Sequence, residues 1–110
     1  MEQSKEYNRT EMNQLMAETD DFFAQFNQLD QQVYAEGAIS KENKELMGLA
    51  ISIVTKCDEC ILYHLEQCIE LAISREKMIE AIKIGVIGGG SVTYPQARFA
   101  FKTLQEKHLL

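Results

Sequence analysis

The chain has 110 residues, of which 45% are hydrophobic, and a formal net charge of −6. This length and composition predict a single globular domain spanning residues 1–110 rather than a disordered chain. The acidic balance argues against a nucleic-acid or anionic-membrane surface, since both need clustered lysine and arginine. The polar N-terminus has no signal-peptide pattern, and no apolar run approaches the ~18 residues of a membrane span, so we expect a cytoplasmic protein.

The first predicted element is a long helix from about Ser4 to Gln32. A break is predicted near Thr19-Asp20, where Asp20 can cap the start of a new helix. A turn is predicted at residues 35–38. The helix is indicated by apolar residues that recur at steps of three and four, namely Met12, Leu15, Met16, Phe22, Phe23, Phe26, Leu29 and Val33.

The second and third predicted helices carry most of the apolar sequence. The second begins after the N-cap Ser40 and ends near Thr55-Lys56. Beyond Glu45 it is apolar nearly all round, which predicts burial in the core or under a neighbouring subunit. The third begins at or near Cys57. Its expected apolar stripe consists of Ile61, Leu65, Cys68, Ile69 and Ala72.

Two further helices complete the predicted fold. Ser74 is expected to cap a fourth helix from Arg75 to about Ile87, which the glycines of residues 88–90 end. The final helix begins near Pro95, since proline is favoured in a first helical turn. The β-branched stretch 82–94 also allows a strand, but a single strand would have no partner. The predicted fold is therefore an all-α bundle of five to six helices.

The chemically reactive residues are concentrated between Cys57 and His64. Cys57 and Cys60 are three residues apart and His64 follows four later, so a helix places all three on one face. Glu45 lies twelve residues before Cys57. The segment thus offers two sulfur nucleophiles, a base, and a carboxylate that can hold the base, as in triad-like sites. The predicted catalytic residues are Cys60, Cys57 and His64. A glutamate near a helix start is more often only a dipole-compensating residue, so Glu45 joins this set through the family resemblance described below.

The cysteine pair has competing interpretations. In an intracellular chain a close pair is more often catalytic or metal-binding than a structural staple. Zinc held by Cys57, Cys60, His64 and Cys68 is conceivable, but structural zinc usually joins separate segments, so redox chemistry without metal or cofactor is favoured. A helix N-terminus would favour a thiolate, whereas the two acidic residues between the cysteines oppose it, and the sequence leaves this balance open.

The spacing Glu45, eleven residues, Cys57, two residues, Cys60, three residues, His64 resembles the signature of the alkyl hydroperoxidase D (AhpD-like) branch of the carboxymuconolactone decarboxylase family. The flanks Lys44 to Leu49 and Gly85 to Gly90 are similar too. The likeness covers residues 30–105. It implies an all-helical fold, a homo-oligomer (trimer or hexamer), and peroxidase or disulfide-reductase chemistry.

The expected function is that of a thiol-dependent antioxidant peroxidase. His64 takes the proton of Cys60, the thiolate attacks a hydroperoxide to give a sulfenic acid, and Cys57 resolves it as a disulfide. The resemblance implies that Glu45 orients His64 and that a dithiol or lipoyl-bearing protein is the reductant. The alternatives are the lactone-acid decarboxylation for which the family is named, which needs no thiol pair, and a non-enzymatic zinc-binding or interaction module.

Overall fold

The structure is a computed structural model that describes residues 7–110. Over this range the chain forms six α-helices and one turn of 3-10 helix, without a strand, which confirms the all-α prediction. No helix among the described residues is long and apolar enough to cross a lipid bilayer. The chain groups into two compact units, one ending at Ala35 and the other comprising Glu36–Leu110. The predicted helix start at Ser4 lies outside the described residues.

The first unit contains helices α1 (Arg9–Thr19) and α2 (Asp21–Tyr34). They are separated at Asp20, whose backbone is extended and whose Oδ1 accepts a hydrogen bond from the Phe22 amide at 2.9 Å. This confirms the predicted break, because the cap satisfies one amide that the new helix leaves without an intrahelical partner. No residue of either helix is buried.

The second unit contains the remaining helices, and serines begin two of them. The Ser40 hydroxyl accepts from the Asn43 amide at 3.1 Å, and the Ser74 hydroxyl accepts from the Lys77 amide at 3.3 Å. Both predicted N-caps are therefore confirmed. The elements are α3 (Lys41–Val54), α4 (Asp58–Glu70), α5 (Arg75–Gly89), the 3-10 turn Ser91–Thr93 and α6 (Tyr94–Glu106).

Helix α3 lies at the centre of this unit, where it packs against both α4 and α5, while α4 also packs against α6. The close approach of α3 and α5 depends on Gly85, since a Cβ there would lie 2.6 Å from Ile53 Cβ. The stretch 82–94, which also allowed a strand, is helical up to Gly89. The buried apolar core consists of Leu49, Ile53, Ile61, Leu65, Cys68, Ile73, Met78, Ala81, Ile82, Ala100 and Leu104.

One packing expectation differs from the structure. Ala72 was expected on the apolar stripe of α4, but the helix ends at Glu70 and Ala72 is exposed in a left-handed conformation with φ of 57°. The turn brings Ile73 into the core instead. Helix α3 leaves one of its faces exposed at Met47 and Ile51 within the single chain, so its burial under a neighbouring subunit stays a prediction.

Candidate functional site

The turn between α3 and α4 sets the position of the cysteine pair. Lys56 adopts a left-handed conformation with φ of 56°, which reverses the chain within a few residues of the end of α3. The Cys57 amide then donates to the Ser52 carbonyl at 3.1 Å, so the turn is fastened to the last helical turn of α3. Cys57 is extended and serves as the N-cap of α4. The predicted helix start at this cysteine is confirmed.

Cys57 and Cys60 form a disulfide, with their Cα atoms 5.2 Å apart. Cys57 occupies the N-cap position and Cys60 the third helical position, so the Cys60 amide donates to the Cys57 sulfur at 3.2 Å. Both residues are partly exposed. Amide donors and the positive end of the helix favour a negatively charged sulfur at this position once the disulfide is reduced.

The acidic residues between the cysteines point away from the core. Asp58 and Glu59 are both exposed in the first turn of α4. Charges in contact with solvent are screened by water and salt, which weakens their effect on a neighbouring sulfur. The helix N-terminus acts on the Cys57 sulfur directly, through the Cys60 amide. The helix N-terminus is thus in direct contact with the Cys57 sulfur, whereas the two opposing charges lie in solvent.

His64 pairs with the predicted carboxylate across two helices. Its Nδ1 lies 2.8 Å from Oε1 of Glu45, nineteen residues earlier in the chain. Glu45 is 1% exposed and His64 is 9% exposed, so the pair is buried at the α3–α4 contact. When Glu45 is ionised, Nδ1 donates its hydrogen to the carboxylate and Nε2 carries the lone pair. His64 then has the tautomer of an oriented general base, and it stands one helical turn after Cys60.

Gly48 makes room for the imidazole ring. A Cβ built on Gly48 would lie 2.5 Å from Cε1 and 2.7 Å from Nδ1 of His64. No real side-chain carbon approaches so closely, so the ring rests directly on the backbone of α3. The missing side chain at Gly48 therefore allows the candidate base to lie close to α3.

Lys41 was not among the predicted site residues. Its Nζ lies 3.2 Å from Oε2 of Glu45, so the two oxygens of this carboxylate have different partners. The lysine side chain is 37% exposed and reaches from solvent to a buried group. The i,i+4 spacing of Lys41 and Glu45 was a usable signal, because such residues are neighbours on a helix surface.

Cys68 is the free cysteine of the described chain and lies in the core. Burial, followed by the charges of Glu45 and Glu42, raises the pKa of its thiol to about 12. The thiol is therefore neutral at physiological pH and a poor nucleophile. Among residues 7–110 no group of three or more His, Cys, Asp or Glu side chains is arranged to hold a metal ion.

Solved structures with this fold include proteins of Thermotoga maritima and Legionella pneumophila. Two crystal structures of a Thermotoga maritima carboxymuconolactone decarboxylase family protein, for which a part in the antioxidative response has been suggested, are 39% and 38% identical to this chain. The first has a TM-score of 0.77 and covers 81% of this chain and 92% of its own chain. The second has a TM-score of 0.87 and covers 91% of this chain and 89% of its own chain. An apo protein of the same family from Legionella pneumophila is 27% identical, with a TM-score of 0.79 over 88% and 87%.

Sequence relatives and a family model agree with the structural comparisons. An uncharacterised Cupriavidus necator protein is 32% identical over 69 residues, which span 63% of this chain and only 58% of that protein. Uncharacterised protein 4 in the cox locus of Paracoccus denitrificans is 31% identical over 81 residues, spanning 74% of this chain and 73% of that protein. Residues 20–106 match the model of the carboxymuconolactone decarboxylase family. The chain belongs to the carboxymuconolactone decarboxylase family.

Proposed function

We propose that this protein is a thiol-dependent peroxidase of the AhpD-like type, with Cys60 as the attacking sulfur. The observation that carries the proposal is a CxxC disulfide at a helix N-terminus, one turn before a histidine that a buried carboxylate orients. Family membership supports it, as does the antioxidative response suggested for the Thermotoga maritima protein.

The oxidative half of the reaction uses both cysteines in their reduced form. Nε2 of His64 accepts the proton of Cys60, and the thiolate attacks the terminal oxygen of a hydroperoxide. The O–O bond breaks, the leaving alkoxide takes the proton back from Nε2 of His64 and departs as an alcohol, and Cys60 becomes a sulfenic acid. The Cys57 sulfur then attacks this sulfur and expels water, which forms the disulfide. Two electrons pass from the thiol pair to the peroxide.

The reductive half needs a dithiol from outside the chain. Its thiolate attacks the sulfur of Cys60, and Cys57 leaves as a thiolate that the Cys60 amide stabilises. The second thiol of the reductant then releases Cys60, so the reductant ends as a disulfide. A lipoyl-bearing protein or another dithiol protein is our proposed partner, and the same cycle without peroxide would make the chain a disulfide reductase. We place this chemistry in the cytoplasm.

The decisive test is peroxide consumption driven by a dithiol. We expect turnover by the wild type, loss of turnover in Cys60→Ser, and near-normal turnover in Cys68→Ala, which removes a thiol that the reaction does not use. Undiminished turnover in Cys60→Ser would end the proposal.

Thiol alkylation separates the peroxidase from the decarboxylase for which the family is named. Alkylation of the reduced protein should abolish peroxide turnover, because both reacting sulfurs are blocked. Decarboxylation of a lactone acid needs no free thiol, and an activity of that kind that survives alkylation would favour the alternative.

A further inference from the structure

The two oxygens of the Glu45 carboxylate have different partners. Oε1 faces Nδ1 of His64 at 2.8 Å, and Oε2 faces Nζ of Lys41 at 3.2 Å. Glu45 is almost fully buried. A buried carboxylate is costly unless it is paired, and it otherwise takes up a proton. The partner that carries a permanent positive charge is Lys41, since the histidine ring is neutral in one of its forms.

The position of one proton decides whether His64 can act as a base. With Glu45 ionised and the ring neutral, Nδ1 carries the hydrogen and Nε2 is a lone-pair acceptor. If the pair gains a proton, two forms are available. Either the ring is an imidazolium, or the carboxyl group donates to Nδ1 and the ring hydrogen sits on Nε2. In both forms Nε2 carries a hydrogen and cannot accept the proton of Cys60.

We propose that Lys41 is a positioning residue that keeps this pair in its proton-accepting form. Its ammonium group stabilises the negative carboxylate and opposes a second positive charge on the ring. The lysine does not touch the reacting sulfurs and acts through Glu45. The importance of this arrangement for catalysis rests on the proposed function. The location of the proton on the Glu45–His64 pair does not depend on that function.

The other charged groups near Glu45 and His64 do not stabilise the carboxylate in the way that Lys41 does. Glu42 on α3 is paired with Lys77 of α5 at 2.7 Å, so a cation lies beside its charge. Cys68 on α4 is uncharged at neutral pH. From the elements packed around Glu45, Lys41 is the cation in direct contact with the carboxylate. Lys77→Met is therefore a matched control, because it breaks an ion pair between a lysine and an α3 glutamate without touching Glu45.

The test is nitrogen NMR of the histidine rings in the reduced protein at neutral pH. The chain has two histidines, so His108→Gln assigns the signals of His64. We expect the fraction of rings with a protonated Nε2 to be larger in Lys41→Met than in the wild type, and to be unchanged in Lys41→Arg and Lys77→Met. An equal fraction in Lys41→Met and the wild type, or the same increase in Lys77→Met, would overturn the inference.

Peroxide turnover measured against pH is the second readout. In Lys41→Met the acidic limb of the profile should move to higher pH, because the carboxylate loses the cation beside it, and Lys41→Arg should restore the wild-type profile. If the NMR signal changes as expected but no form of the protein consumes peroxide, the inference stands and the proposed function fails. If peroxide is consumed but the NMR signal and the acidic limb are unchanged in Lys41→Met, the proposed function stands and the inference fails.

Discussion

The cysteines of this chain differ in how readily their sulfurs can become thiolates, because they differ in burial. Cys57 and Cys60 are partly exposed and lie at the positive end of a helix, where a thiolate is stabilised. Cys68 is fully buried two turns further along the same helix, and burial is the first reason that its pKa rises to about 12. The residue type is the same, so solvent access and the helix terminus make the difference.

The raised pKa of Cys68 predicts a loss of stability in alkaline solution. Because the unfolded thiol ionises near pH 9.0 and the folded thiol near pH 12, the unfolded state loses this proton first as pH rises. The stability that the neutral Cys68 thiol contributes is fully present below pH 9. It is lost between about pH 9 and pH 12, where the free energy of unfolding falls by up to ~1.4 kcal/mol per pH unit.

Urea unfolding of the oxidised protein measures this effect, since the disulfide leaves Cys68 as the free thiol. Over the alkaline range the free energy of unfolding should fall more steeply in the wild type than in Cys68→Ala. Equal slopes in the two proteins would show that Cys68 is not a buried neutral thiol.

At the scale of elements, α3 uses glycine contacts on two sides. Gly48 of α3 lies against the His64 ring of α4, and Ile53 of α3 lies against Gly85 of α5. The first contact belongs to the candidate site and the second belongs to the core. The helix thus contacts both the candidate base and the core of the unit.

Alanine at these glycines should separate activity from stability. In Gly48→Ala the His64 ring must move, and we expect peroxide turnover to fall by about tenfold to a hundredfold. In Gly85→Ala the new Cβ meets Ile53 Cβ at 2.6 Å and the Ala50 carbonyl oxygen at 2.9 Å. This variant should lose about 1–3 kcal/mol of stability while its folded fraction keeps normal turnover.

The measurements are thermal unfolding and turnover well below the melting temperatures. Gly88→Ala is the control, because its Cβ would meet only Val54 Cγ2 at 3.6 Å, an ordinary contact. That variant should be as stable as the wild type or gain about 0.5–1 kcal/mol, since alanine is a better helix former. Normal turnover in Gly48→Ala would contradict the placement of the ring.

At the scale of the whole molecule, the unit from Glu36 to Leu110 exposes a substantial apolar surface. We call the depression between α5 and α6 the α5–α6 groove. It is bordered by Lys83 and Arg98, and its Ile87 is 87% exposed. Exposed apolar patches of this kind mark interaction sites in soluble proteins. The groove is formed by Ile82, Lys83, Val86, Ile87, Tyr94, Ala97, Arg98 and Phe101.

We expect this surface to be covered by other copies of the chain. Light scattering should give a multiple of the 12.6 kDa chain mass, corresponding to a trimer or a hexamer as the family resemblance implies. Ile87→Glu places a charge in the α5–α6 groove and should lower the measured mass. Gln67→Glu adds the same charge on α4 and should leave the mass unchanged. A monomer at micromolar concentration would contradict the expectation.

Local sequence determined most of the fold. The serine caps at Ser40 and Ser74, the break at Asp20 and the start of α4 at Cys57 all follow from short-range hydrogen bonds between nearby residues. The CxxC spacing likewise places both sulfurs in one helical turn. These features could be predicted because each depends on only a few consecutive residues.

Only the tertiary structure decided how the candidate site is assembled. Glu45 and His64 are nineteen residues apart, and they meet because the left-handed turn at Lys56 folds α4 back onto α3. The contact of the ring with Gly48 and the burial of Cys68 depend on the same packing. A side chain's orientation across two helices is set by the packing of the whole unit, and no short stretch of sequence contains that information.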